Sequence, residues 1–294
     1  MGEMFTGSGV ALVTPFSEGK IDWEALEKLV FLHLEEGTDA ILPCGTTGEP
    51  STMTTEEKDS VVAFVVEKVR GKIPVIAGSG SNNTADAVAA SKRCQDLGAD
   101  GVLVVTPYYN KATQEGLELH YRRIADAIDI PVLMYNVPSR TGLNMLPETA
   151  ARLAEHPNIG GLKEASGNLA QIVELFRLTR GKLPIYSGND DQAYALMALG
   201  GMGVVSVCAN VVPAAMHALT GSYLRGDTVE SLAIQEDLAP LIAQLFTEVN
   251  PIPVKAALSY MGIVKDELRL PLTPLSEEYR PQLLAEMTKL GLTD

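Results

Sequence analysis

Residues 40–80 read AILPCGTTGEPSTMTTEEKDSVVAFVVEKVRGKIPVIAGSG and hold one full period of the chain's architecture. AILPCG (40–45) and PVIAGSG (74–80) are short apolar runs, of the kind a strand shows when both of its faces are covered. Between them, TTEEKDSVVAFVVEKVRG carries its apolar residues at helical spacing. Thr54 with Glu57 forms a capping box at its start, and Gly71 stands where the glycine after a helix belongs. The stretch is a strand, a polar turn, a capped helix and a second strand.

The same rhythm repeats from residue 8 to about 225. The strand candidates are 8–15, 40–45, 74–80, 101–107, 131–137, 159–165, 183–188 and 203–209. DWEALEKLVFLHLEEG, with Asp22 as N-cap and Gly37 past its end, and TADAVAASKRCQDLG, closed by Gly98, are further amphipathic helices. Repeated strand–helix units of this kind predict a (β/α)8 barrel. An open doubly wound sheet would place a GxGxxG turn after its first strand, and TPFSEGKID has none. After 225 only helical segments follow, at 227–247, about 252–261 and 276–290, with Pro251, Pro253, Pro271 and Pro274 at the joints. The expected organisation is a catalytic barrel at 1–225 and a helical extension at 226–294 packed on it. No low-complexity linker separates the two.

Composition excludes several classes. Over 294 residues, 23 Lys+Arg stand against 37 Asp+Glu, a formal net charge of -14. Such a chain repels phosphate backbones, so nucleic-acid binding is not expected. Hydrophobic residues are 46% and charged residues 20%, which fits neither a disordered chain nor a membrane protein. No run approaches the roughly 18 apolar residues of a membrane span. Cys44, Cys94 and Cys208 are scattered without a CxxC, a usage suited to a reducing cytoplasm. His33, His120, His156 and His217 form no HExxH or HxH, so no motif announces a metal site. The N-terminus lacks the basic and apolar regions of a signal peptide, and Met1-Gly2 with Thr6 fits the myristoylation pattern only formally.

In a (β/α)8 barrel the reactive groups lie at the C-terminal ends of the strands. Polar residues gather there: Thr14, Gly45-Thr46-Thr47-Gly48-Glu49, Tyr108-Tyr109-Asn110, Tyr135-Asn136, Lys163, Ser187-Gly188-Asn189 and Ser206. Lys163 sits within a strand candidate, where burial costs an ammonium its hydration and lowers its pKa. A lysine so lowered is an amine nucleophile able to form a Schiff base with a carbonyl. The alternative is a structural lysine, paired with Glu164 or reaching out to water; strand alternation turns Glu164 to the opposite face. Lys255 is the rival lysine, with an outer structural role expected from its place in the tail. Tyr135 is either a proton donor and acceptor or a packing residue. Gly45-Thr46-Thr47-Gly48 is either a donor-rich carboxylate cradle or an ordinary turn. Arg140 offers a planar fork to a carboxylate, or is a surface arginine. Gly200-Gly201-Met202-Gly203 has the look of a phosphate cradle, but Asp190 and Asp191 would repel phosphate; those two are read as helix caps.

GTTGE (45–49), YNVPSRTG (135–142) and GLKEASG (161–167) together resemble the dihydrodipicolinate synthase family, also called 4-hydroxy-tetrahydrodipicolinate synthases. These are class I, lysine-dependent aldolase-type enzymes, in a superfamily that also includes N-acetylneuraminate lyase. The resemblance runs from GSGVALVTPF to NPIPVKAAL in the tail. It implies that Lys163 forms the Schiff base with pyruvate and that Tyr135 is the general acid and base. Thr46 would relay protons between Tyr135 and Tyr109, the latter from a neighbouring subunit. Thr46 and Thr47 would bind the pyruvate carboxylate, and Gly188 and Val205 would line the site. Arg140 would receive the carboxylate of L-aspartate 4-semialdehyde; sialic-acid lyases typically lack an arginine at that position. The resemblance further implies a homotetramer built as a dimer of dimers, and no metal or organic cofactor. At the positions of the family's lysine-effector pocket stand Ser51, Thr55, Lys58, Asn82, Asp86 and Tyr108. Lys58 would face the effector's ammonium, so weak or absent feedback by L-lysine is expected. A keto-sugar-acid aldolase and a catalytically silent binding scaffold are the competing functions on the same fold.

Overall fold

Short parallel strands form one sheet: β1 (Gly7–Ala11), β2 (Ala40–Leu42), β3 (Ile76–Gly78), β4 (Gly101–Val105), β5 (Val132–Asn136), β6 (Ile159–Glu164), β7 (Ile185–Ser187) and β8 (Gly203–Ser206). In this computed structural model, which describes residues 4–293, the strand order is β2-β1-β8-β7-β6-β5-β4-β3. The two ends of that order meet. Ile41 forms a parallel bridge with Val75, and the Ile41 N–H donates to the Pro74 carbonyl at 3.0 Å. The sheet therefore closes into the expected (β/α)8 barrel.

Strand parity sorts the apolar side chains into two cores. Val102 and Val104, Val132 and Met134, and Leu162 belong to the layer between strands and helices. Leu103, Leu133, Tyr135, Tyr186 and Val205 fill the barrel interior. Phe5 closes the N-terminal end of the interior; its ring stacks on Tyr186 at 4.3 Å, and the Tyr186 hydroxyl donates to the Phe5 carbonyl at 2.7 Å.

The outer ring consists of α1 (Trp23–Glu35), α2 (Thr55–Val69), α3 (Thr84–Asp96), α4 (Gln114–Ala125), the single turn α5 (Pro138–Thr141), α6 (Pro147–Leu153), α7 (Leu169–Thr179), α8 (Ala193–Ala198) and α9 (Pro213–Leu224). The Asp22 carboxylate accepts from Ala25 N–H, and both bonds of the Thr54–Glu57 capping box are present. Gly37, Gly71 and Gly98 follow helices at φ 80°, 69° and 88°, a region that only glycine enters freely. The strands are shorter than the apolar runs that signal them, as in Ile76–Gly78 against 74–80. The ends of those runs leave the ladder to build the loops of the mouth.

The tail follows as α10 (Thr228–Gln244), α11 (Ile252–Tyr260) and α12 (Arg280–Lys289). α10 packs along α9, α12 packs on α10 and α11, and α11 touches the turn at 208–210. Among the described residues no helix is long and apolar enough to cross a membrane. Met1 and Gly2 of the myristoylation pattern lie outside the described residues. The three cysteines are buried and unpaired. The glycines at 200–203 are no phosphate cradle: a Cβ on Gly203 would stand 1.8 Å from the Gly7 carbonyl oxygen, so that glycine serves the close approach of β8 to β1.

Candidate active site

Register places Tyr135 of β5 beside Lys163 of β6, and Lys163 beside Tyr186 of β7. Parity points Tyr135 inward, and the Lys163 amine lies 4.3 Å from the centre of the Tyr135 ring. Lys163 is only 5% exposed. Burial lowers its pKa to about 8; Asp190 pulls it back up, and Arg140 pushes it further down. At pH 7 about a tenth of such an amine is neutral, against about one part in 3,000 for an ordinary lysine.

Glu164, the next residue, faces the other way. Its carboxylate accepts from Asn136 Nδ2 at 3.0 Å and Ser166 N–H at 2.7 Å. The pairing of Lys163 with Glu164 is therefore absent. Gly188 makes room for the lysine: a Cβ there would meet Lys163 Cε at 3.0 Å and Ala165 Cβ at 2.7 Å. Val205 is wholly buried in the barrel interior.

Tyr135 is buried, with the Thr46 side chain near its phenol. Burial pushes its phenol up, while Arg140 and Thr46 pull it back. A phenol held protonated next to a hydroxyl can both donate and accept a proton. Thr46 and Thr47 sit in a 3-10 turn, Thr46–Gly48, entered from Gly45 and left through Glu49 at φ 54°. Thr14 holds that turn, its hydroxyl donating to the Gly48 carbonyl at 2.8 Å. Arg140, in α5, is exposed and lines the cavity above the strand ends.

A cavity of about 830 Å³ runs from Thr46, Tyr135, Arg140 and Asn250 outward to Lys58 and Asp86 between α2 and α3. Lys163 lies behind this lining, against Tyr135. Ser51, Thr55 and Tyr108 border the outer part of the cavity, while Asn82 holds the Tyr108 carbonyl at 3.2 Å from the side. Tyr109 is not brought to Thr46 or Tyr135 within this chain. It stands 91% exposed on a loop, at φ 70°.

The structure corrects two expectations, for Lys255 and Asp190. Lys255 is not an outer lysine: it is fully buried and ion-paired with Glu49 of the GTTGE turn, and also donates to the Glu267 carbonyl at 2.8 Å. Asp190 does not cap its own helix. Its Oδ2 accepts from the N–H groups of Val207 and Cys208, each at 3.0 Å, past the end of β8. Ser187 and Ser206 serve the loops, with Ser187 donating to the Asn189 carbonyl and Ser206 accepting from Ala209 N–H. Sequence reasoning missed Asn250, whose amide donates to Thr47 Oγ1 at 2.9 Å and whose carbonyl accepts from Arg140 at 3.3 Å. No local pattern marks it.

A buried, depressed amine at the mouth of a (β/α)8 barrel, with a phenol beside it and hydroxyl and guanidinium donors around it, defines a class I aldolase-type site. The comparisons narrow this. The sequence model of the Dihydrodipicolinate synthetase family matches residues 4–290, and the chain belongs to that family. It is 53% identical over 290 residues to the 4-hydroxy-tetrahydrodipicolinate synthase of Thermoanaerobacter sp. (strain X514), covering 98% of each chain. The dihydrodipicolinate synthase of Thermotoga maritima superposes with a TM-score of 0.97 at 47% identity, over 99% of this chain and 100% of that one. The chloride-inhibited enzyme of Acinetobacter baumannii, complexed with pyruvate, does so at 0.96 and 46% identity, over 98% and 99% of the two chains.

Proposed function

We propose that this chain catalyses the 4-hydroxy-tetrahydrodipicolinate synthase reaction, joining pyruvate to L-aspartate 4-semialdehyde on the diaminopimelate route to lysine. The observation that carries the reading is the Lys163 amine, buried against Tyr135 with its pKa lowered to about 8. The neutral amine adds to the ketone carbon of pyruvate. The carbinolamine loses water to give an iminium, with Tyr135 supplying and recovering the proton. The iminium draws electrons from the methyl carbon, which loses a proton and becomes an enamine. The enamine attacks the aldehyde, and the new alkoxide takes a proton through Tyr135 and Thr46. The amine of the second substrate then displaces Lys163 and closes the ring, so one water is released overall and the enzyme is regenerated.

Thr47, with Thr46, would hold the keto-acid carboxylate, Gly188 and Val205 would shape the floor, and Arg140 would take the carboxylate of the semialdehyde. Arg140 also favours this reading over a sugar-acid aldolase, since a cavity-lining cation matches a second carboxylate. Tyr109, exposed here, would complete the proton relay in a neighbouring subunit of a homotetramer working in a reducing cytoplasm. Feedback by L-lysine would be weak, since Lys58 would repel the effector's ammonium in the outer part of the cavity.

Borohydride reduction in the presence of pyruvate, followed by digestion and peptide mapping, tests the reading. The adduct is expected on Lys163 and absent from Lys163→Ala. No adduct points to a silent scaffold, and an adduct on another lysine removes the assignment. Turnover of the wild type with the semialdehyde and not with sugar aldehydes separates the two enzymatic alternatives.

A further inference from the structure

Asn250 lies between α10 and α11, 6% exposed, with part of its surface on the cavity. It is the one tail residue hydrogen-bonded, among the described residues, to both Thr47 and Arg140. The two bonds come from different parts of the residue. The side-chain Nδ2 donates to Thr47 Oγ1 at 2.9 Å, and the backbone carbonyl accepts from Arg140 Nη2 at 3.3 Å. The side-chain Oδ1 is buried with no hydrogen-bond partner. The amide faces Thr47 with its N–H end.

A hydroxyl carries one hydrogen and two lone pairs. Because Thr47 Oγ1 accepts from the amide, one lone pair is occupied and its own hydrogen is free for another acceptor. A carboxylate offers acceptors only. A threonine so oriented presents to a carboxylate the one thing it can use. We propose that Asn250 is a positioning residue for the keto acid: it sets the polarity of the Thr47 hydroxyl, so that the hydrogen points to the substrate carboxylate. Its carbonyl holds the Arg140 guanidinium at the same time, by a bond that side-chain replacement leaves in place. The proposal rests on the reading that Thr47 binds that carboxylate. It adds a tail residue to a site otherwise built by the barrel.

The isosteric change Asn250→Asp reverses the polarity. A carboxylate at 250 would accept the Thr47 hydrogen and turn lone pairs toward the substrate. Asn250→Ala merely frees the hydroxyl to rotate. The experiment measures the pyruvate concentration giving half-maximal reductive trapping on Lys163, with thermal melts of each variant. Asn250→Asp is expected to raise it roughly 10- to 100-fold, the range of a charged hydrogen bond lost, and Asn250→Ala only a few-fold. In a Thr47→Val background the Asp substitution should add less than about threefold, because the hydroxyl it acts through is gone. A merely structural asparagine would instead give Ala the larger effect and leave the Asp effect intact without the hydroxyl.

An unchanged half-saturation for Asn250→Asp, an effect of Ala equal to or above that of Asp, or a full Asp effect in Thr47→Val each overturns the proposal while leaving Lys163 chemistry standing. If Asn250→Asp is too unstable to assay, Asn250→Ala decides: an unchanged half-saturation overturns the proposal, and a weakening that vanishes in Thr47→Val supports it. Failure of the wild type to trap pyruvate at all overturns the underlying reading, and the proposal with it.

Discussion

Around Lys163, burial and Arg140 favour the neutral amine, while Asp190 favours the ammonium. The signs of two substitutions follow. Asp190→Asn removes an anion, so the ammonium loses support and the pH at half-maximal pyruvate capture should move below about 8. Arg140→Ala removes a cation, so the same midpoint should move above about 8. Trapping with cyanoborohydride across pH, read by intact mass, gives both midpoints; shifts in one common direction would contradict this arrangement of charges. Arg140→Ala should also raise the KM for the semialdehyde roughly 10- to 100-fold while pyruvate is still trapped. A normal KM would remove Arg140 from substrate binding. At this scale the sequence was informative where geometry is local. Alternation alone separates Lys163 from Glu164, and a lysine inside an apolar strand announces an unusual amine. Asp190 was misread because its partners are the N–H groups of Val207 and Cys208, beyond the next strand, and no local pattern expresses that.

At the scale of elements, the turn after β2 is held from the tail. Glu49 leaves that turn with a left-handed backbone and buries its carboxylate against Lys255 of α11 and the Arg269 N–H. Both the Lys255 and Arg269 cations lie 4.3 Å from the centre of the Phe16 ring, and Arg269 makes a two-pronged bond to Glu57 of α2. Lys255→Met would leave a buried, unpaired carboxylate, a change costing about 3–5 kcal/mol. Urea denaturation should show a loss of that order, and the double variant with Glu49→Met should recover a large part of it. A double variant no more stable than the single one would mean that packing, not charge, holds the turn. The strand–helix rhythm, the capping box and the C-terminal glycines are legible because they are short-range. The attachment of tail to turn is not, since Glu49 and Lys255 lie 206 positions apart and neither residue is unusual in its own neighbourhood.

At the scale of the molecule, the site within one chain has an amine, a phenol and two threonines, but Tyr109 projects outward at 91% exposure. Its loop is pinned by side-chain hydrogen bonds from Asn82 and Asn110. If a second subunit supplies it, Tyr109→Phe should lower turnover by roughly 10²–10⁴ through the proton relay, while pyruvate is still trapped on Lys163. Sedimentation velocity beside activity on a dilution series is the companion measurement. Activity should fall as the subunits separate, and full turnover by a monomer would exclude a shared site.

Lys163 is the proposed site of pyruvate capture, its buried amine far more often neutral near physiological pH than an ordinary lysine's. The most direct measurement is the rate of reductive pyruvate capture against pH, with the modified peptide identified at each point. Modification of Lys163 alone is expected, with a rate rising through a midpoint of about 8. A midpoint near 10.5, the ordinary value for a lysine, or modification at another residue, would contradict that assignment.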